Sequence, residues 1–331
     1  MFEALGGHGG EAAALATSVL WAGTALLFGA ASRRIGPAEM NLLRLAMATV
    51  LLFVTLLATG VEWSLPGAQM GFFVASGVVG LAMGDAAYFR ALRILGPRRA
   101  ALTMSFAPAL TAVLMVPFLG ETIGWVGITG MAVTLGGILW VHGEKDDARE
   151  IEGSAAEGLA MGLLGALGQA AGIVLAKAGL GAAPAGAWLA TAGGLPERMA
   201  EDGAVLTGAE VTPLYGTFLR MAAGFAAFLG MQAVGWGGPR LREAFRDRKF
   251  LALTLGGAMA GPYAGVWLSL VAVSLTNTAV AATIMATSPI FVIPLVRVVH
   301  GRGASGRAWI GAAVALAGVA MLSFRMQIRG L

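Results

Sequence analysis

Three charged residues stand well inside long apolar runs of this 331-residue chain: Arg44, Asp85 and Arg220. A charged side chain at membrane depth is costly and is kept for a partner or a function. Arg44 lies about five residues into its apolar run, counted from the Arg33-Arg34 turn, and Asp85 lies at a similar depth from the turn after its own run. Both turns fall on one side of a membrane, so the spacing predicts an Arg44–Asp85 ion pair, which offsets the cost of burying either charge. Two roles follow for Asp85. It acts as a proton or amine acceptor whose pairing changes between states, or it is half of a fixed structural pair. Arg220 has no evident acidic partner, because the position matching Asp85 is Val266. It can meet a carboxylate or phosphate, bond backbone carbonyls, or snorkel towards headgroups. Lys177 lies nearer the end of its run.

Around these charges, Trp21, Tyr88, Gln169, Tyr263, Trp267 and Asn277 are candidates for a cavity wall. Aromatic rings stack on apolar or cationic solutes, and the amides orient a solute by hydrogen bonds. Trp and Tyr also gather at membrane interfaces. Pro108 and Pro289 fall mid-run, where each removes a backbone hydrogen bond and bends a helix. They are candidate hinges, with packing bends as the alternative. Other chemistries find no support. There is no cysteine, and His8, His142 and His300 are too far apart in sequence to form a recognisable metal-ligand spacing. No Gly-x-x-x-x-Gly-Lys-Ser/Thr loop is present, and no serine–histidine–acid arrangement is suggested. No metal, organic cofactor or catalytic residue is expected.

The elements that must hold these residues follow from composition. Charged residues make up 12% of the chain, hydrophobic residues 57%, and mean hydropathy is +0.79. A soluble domain has about 25% charged residues, so disorder and a soluble enzyme are both disfavoured. The net charge of +4 does not imply nucleic acid, because the basic residues sit between apolar runs. Ten runs have the roughly 20 apolar residues needed to cross a bilayer as helices: 12–31, 39–59, 70–92, 99–118, 122–142, 157–178, 213–235, 250–272, 277–298 and 306–325. A charged linker, 143–156, divides them. A long Gly- and Ala-rich connection, 179–212, is expected to be loop or interfacial structure. Pro239 to Lys249 is basic, with Leu241 and Phe245 at helical spacing, and is expected to lie on the membrane surface. The 50 glycines read first as close helix-packing positions.

The linker separates two related halves. A shift of 181 residues aligns Gly80 with Gly261, Gly84 with Gly265, Ala91 with Ala272, Met104 with Met285, Pro108 with Pro289, Gly130 with Gly311 and Gly137 with Gly318. Pro37 to Arg44 and Pro213 to Arg220 share one spacing, each ending in Leu-Arg. Five spans per half is an odd number, so the second half enters the membrane inverted, an arrangement suited to alternating access. The expected fold is an all-α integral membrane protein of ten transmembrane helices in two inverted five-helix repeats. The first repeat occupies 1–142 and the second 157–331.

The run Tyr88-Phe89-Arg90-Ala91-Leu92, Gly96-Pro97, Ala100-Ala101, Pro108, Leu119-Gly120-Glu121, Gly130 and Gly137 resembles the EamA repeat of the drug/metabolite transporter superfamily. Ala272, Ala281-Ala282, Pro289, Gly311 and Gly318 repeat it, and Trp21 and Arg44 fit the first-half pattern. The second half departs from it at His300-Gly301-Arg302 and in the long connection. The resemblance implies secondary transport of small organic solutes such as metabolites, amino acids or drug-like compounds. The expected setting is the cell (inner) membrane, multi-pass. Partners would be a small-molecule substrate and the lipid bilayer, with protons as candidate co-substrates and a monomer or homodimer both compatible. An uncoupled facilitator or exporter and a non-transport membrane enzyme or receptor are the alternatives. Orientation is open: Lys and Arg counts place both termini outside, whereas the resemblance implies both in the cytoplasm.

Overall fold

The computed structural model describes residues 8–32, 34–35, 37–61, 63, 67–142, 154–181, 211–234, 241–300 and 306–328. Among these the regular elements are all helical. They are α1 (Gly9–Ser32), α2 (Pro37–Thr59), α3 (Gly67–Ser76), a π-helical segment (Gly77–Gly84), α4 (Asp85–Met104), α5 (Ala107–Leu119), α6 (Trp125–His142) and α7 (Ala155–Gly179) in the first part. Then follow α8 (Pro213–Ala233), α9 (Leu241–Arg246), α10 (Arg248–Ala258), a second π-helical segment (Met259–Gly265), α11 (Val266–Leu275), α12 (Thr278–Met285), α13 (Ser288–His300) and α14 (Gly306–Ile328). Most of the expected linker and of the long connection 179–212 lies outside the described residues.

The helices start and stop where local chemistry directs. Ser154 and Thr212 accept backbone N–H bonds at the starts of α7 and α8, with Pro213 opening the latter. Gly120 ends α5 with φ 64°, a left-handed backbone that glycine adopts without penalty. Seven helical stretches are long and apolar enough to cross a membrane: Gly9–Ala31, Ala38–Thr59, Gln69–Leu95, Arg99–Leu119, Ala155–Gly179, Pro213–Ala233 and Arg248–Leu275. Three shorter apolar stretches accompany them, at Trp125–Trp140, Thr278–Val292 and Trp309–Leu322. Their outer faces are apolar: Val50, Leu57, Val113, Trp125 and Ile310 are each at least half exposed. Such a continuous apolar exterior is matched by lipid and not by water. The chain is a multi-pass membrane protein.

The helix α1 packs on elements late in the chain, and α7 on elements early in it. α1 lies against α10, the second π-segment, α11, α12 and α13, while α7 lies against α3, the first π-segment, α4 and α5. α8 and α2 close the middle, and α6 pairs with α14. Small residues permit these approaches. A Cβ placed on Gly168 would come within 2.7 Å of Gly84 Cα, and one on Gly172 within 2.9 Å of Gly80 Cα. α7 and the first π-segment therefore touch backbone to backbone. The second π-segment meets side chains instead: Gly261 faces Thr24, and Gly265 faces Trp21 Nε1 at 2.7 Å from a built Cβ.

The 181-residue shift reappears in the backbone. It carries Gly84, the last residue of the first π-segment, onto Gly265, the last of the second. It also carries the break at Ser105–Phe106 onto the break at Ala286–Thr287. Pro108 and Pro289 accordingly do not bend continuous helices, as their mid-run position suggested. Each sits second in a helix that begins anew, at Ala107 and at Ser288. There its missing N–H has no intrahelical partner to lose.

Candidate functional site

The predicted Arg44–Asp85 ion pair is formed. α2 presents Arg44, and Asp85 is the first residue after the π-segment. Arg44 Nε also donates to Asn41 Oδ1 at 2.6 Å. The guanidinium carbon stands 5.7 Å from the Phe28 ring centre and 5.8 Å from that of Phe89. Arg44 is thus held by α1, α2 and α4 at once, its charge met by one carboxylate and two aromatic faces. Both side chains are mostly but not wholly enclosed, at 15% and 18% exposure. Tyr88 stands one turn beyond Asp85, beside the Phe89 ring at 6.0 Å between centres.

Arg220 sits in α8, 2% exposed, against the glycines of the first π-segment. Its Nη2 would lie 3.6 Å from a Cβ on Gly80, so glycine there leaves the guanidinium its space. Its Nε is sealed from solvent with no hydrogen-bond partner, and the described residues give it no ion pair. Asp85 lies within electrostatic reach, but its oxygen is engaged by Arg44.

A second ionic cluster, not foreseen from the sequence, closes the end of the molecule at which α1 begins. Lys177 at the end of α7 pairs with Glu121 in the α5–α6 turn. Its Nζ also donates to the Thr276 carbonyl at 2.8 Å. The Thr276 hydroxyl donates to Glu11 Oε1 at 3.2 Å, and the Thr278 N–H donates to Glu121 Oε2 at 2.8 Å. Asn277 Oδ1 caps α12, and its Nδ2 donates to the Thr122 carbonyl at 3.3 Å. The left-handed Gly120 turns the chain so that Glu121 comes back over Lys177. Lys177 near the end of its run, the Asn277 amide and the Leu119-Gly120-Glu121 motif were the signals available, and none of them showed that these residues meet.

At the opposite end, Arg34 Nε donates to Asp247 Oδ2 at 2.6 Å. Asp247 Oδ1 accepts from the Lys249 and Phe250 backbone N–H groups, both at 3.0 Å, and so caps α10. These bonds, the one from Arg34 foremost, hold the Asp247 carboxyl below the ordinary carboxylate range. Just before it the short helix α9 exposes Phe245 and buries Ala244, as a surface-lying segment does.

The remaining candidates divide. Tyr263 and Trp267 lie together, ring centres 6.3 Å apart, and the Tyr263 hydroxyl is 2.9 Å from Thr55 Oγ1. Trp21 packs on Gly265 just between them in sequence. Gln169 is half-buried on α7 beside the Gly168 contact. Asn277 stands apart, in the cluster with Lys177. Among the described residues no group of three His, Asp or Glu side chains is placed to hold a metal ion.

The fold has precedent. A crystal structure titled only as that of a protein superposes with a TM-score of 0.69 over 96% of this chain and 98% of its own, at 15% identity. No curated protein matches the sequence. The model of the EamA-like transporter family matches residues 8–143 and 204–324, most of both halves. With apolar spans around buried ionic groups, and with that match on each side of the linker, the chain belongs to the EamA-like transporter family of membrane transporters of small solutes.

Proposed function

We propose that the protein is a secondary-active transporter of small organic solutes in the cell (inner) membrane, working by alternating access. In this reading the seven long spans and the three shorter apolar helices are ten transmembrane helices. They form two inverted repeats, 1–142 and 157–331, joined by the linker 143–156. The observation that carries the reading is the pair of ionic closures at opposite ends. Glu121 and Glu11 of the first half meet Lys177 and Thr276 of the second at one end. Arg34 of the first half meets Asp247 of the second at the other. A transporter of this kind needs one closure to open while its opposite holds.

A chain without cysteine makes the test direct. Glu11→Cys with Thr276→Cys spans one closure, and Arg34→Cys with Asp247→Cys spans the other. A short bifunctional thiol reagent on either pair is expected to stop solute flux in proteoliposomes, while each single variant stays active under the same treatment. Flux that survives cross-linking at either end rejects alternating access.

Coupling is assigned to Asp85, the carboxylate paired with Arg44 inside the spans. Wild-type flux should follow an imposed pH gradient, and Asp85→Asn should uncouple it. The second reading, an uncoupled facilitator, rests on the alternative that Arg44–Asp85 is a fixed pair. It predicts wild-type flux indifferent to the gradient. Trp21, Tyr88, Gln169, Tyr263 and Trp267 are proposed to line the solute path. The breaks before Pro108 and Pro289 are proposed as its hinges.

A further inference from the structure

We infer that Arg220 receives a carboxylate of the transported solute, taking in the second half the place that Asp85 holds beside Arg44 in the first. The inference rests on the transport reading and names the class of its substrate.

The two arginines are counterparts: Pro37 to Arg44 and Pro213 to Arg220 have the same spacing and both end in Leu-Arg. Their neighbours are counterparts too. Asp85 is the first residue after the first π-segment, and Val266 is the first residue after the second. The helix of Arg220 packs on the helix that Val266 opens, as shown by their shared apolar core. In one half the arginine meets a carboxylate. In the other half the acid is replaced by a buried valine, and the arginine is left buried with a sealed, unpartnered Nε. Arg44 and Asp85 neutralise each other, so the group carries one uncompensated positive charge. A guanidinium presents paired N–H donors that match a carboxylate in a two-point contact. An ammonium has no acceptor for those donors, and a neutral solute leaves the charge uncompensated. Tyr263 and Trp267 pack against the same apolar core as Val266, and in this proposal they supply an apolar wall for the body of the acid.

The test is thermal unfolding of the purified full-length chain with a panel of carboxylic acids, from acetate to aromatic and amino acids. The matching primary amides, simple amines and phosphate monoesters are run beside them. At least one carboxylate should raise the melting temperature where its amide does not. Arg220→Lys should weaken that acid at least tenfold, because a point charge replaces the fork. Arg220→Met should abolish the shift and raise the melting temperature of the ligand-free protein, since it removes an uncompensated buried charge. A merely structural arginine would give the opposite sign in the ligand-free protein. Overturning results are a carboxylate shift intact in Arg220→Met, equal shifts from acids and amides, shifts from phosphates or amines alone, or no shift from any acid. If cross-linking still blocks flux while carboxylate dependence is missing, this inference fails and the transport reading stands.

Discussion

Asp247 combines two roles in one carboxylate: one oxygen caps α10 and the other accepts from Arg34. Its folded carboxyl titrates below its unfolded one. The stability it supplies is therefore complete above the unfolded carboxylate range, and it is lost as the pH falls through the lower, folded value. Wild-type melting temperature should drop across that acid window, and Asp247→Asn should flatten this part of the profile while starting lower at neutral pH. High salt should narrow the difference, because the pair is solvent-exposed. A drop of unchanged depth in the variant would remove Asp247 from the account. Residue chemistry was legible in the sequence where depth alone decided it. Arg44 and Asp85 could be paired because each could be counted from a turn on the same face. Lys177 and Glu121 could not, nor could Arg34 and Asp247, because hydropathy gives depth and says nothing of which helix stands beside which.

Among the elements, the positions of the seven long spans were legible because about 20 apolar residues are a bilayer's thickness. The interruptions were not. An apolar, glycine-rich run reads the same whether its backbone is α-helical throughout or slips to π-helix over Gly77–Gly84. Pro108 and Pro289 read as bends when they mark fresh starts. The glycines did announce close packing, and the structure sorts them. Gly168 abuts the Gly84 backbone, whereas nothing lies within 4 Å of a Cβ built on Gly136. Gly168→Ala should cost about 1–3 kcal/mol by forcing α7 off its neighbour. Gly136→Ala should be neutral or stabilise by about 0.5–1 kcal/mol, since alanine holds a helix better. Reversible unfolding in mixed micelles would measure both, and equal effects would refute the backbone contact.

For the molecule as a whole, the packing of α1 on late elements and of α7 on early ones ties distant parts of the chain together, and the Lys177–Glu121 pair fastens one end of that arrangement. Lys177 is buried, and its partner is largely so. Lys177→Met alone leaves a carboxylate without its cation and should cost about 3–5 kcal/mol. Adding Glu121→Gln should recover most of it. A double variant no more stable than the single would show that the pair does not hold that end. The 181-residue shift was read from Pro and Gly matches, and the pair of π-segments ending at Gly84 and Gly265 keeps the same register. A π-helical turn uses more residues than an α-helical one, and each surplus residue turns whatever follows by roughly 100° about the axis. Asp85 and Val266 come first after these segments, so the aim of each side chain is set by how many residues precede it as much as by its own identity. Shortening Gly77–Gly84 by one residue would leave Asp85 in the chain and swing it away from Arg44. In this protein a deletion can therefore act as a charge mutation, with the ion pair lost although both of its members remain.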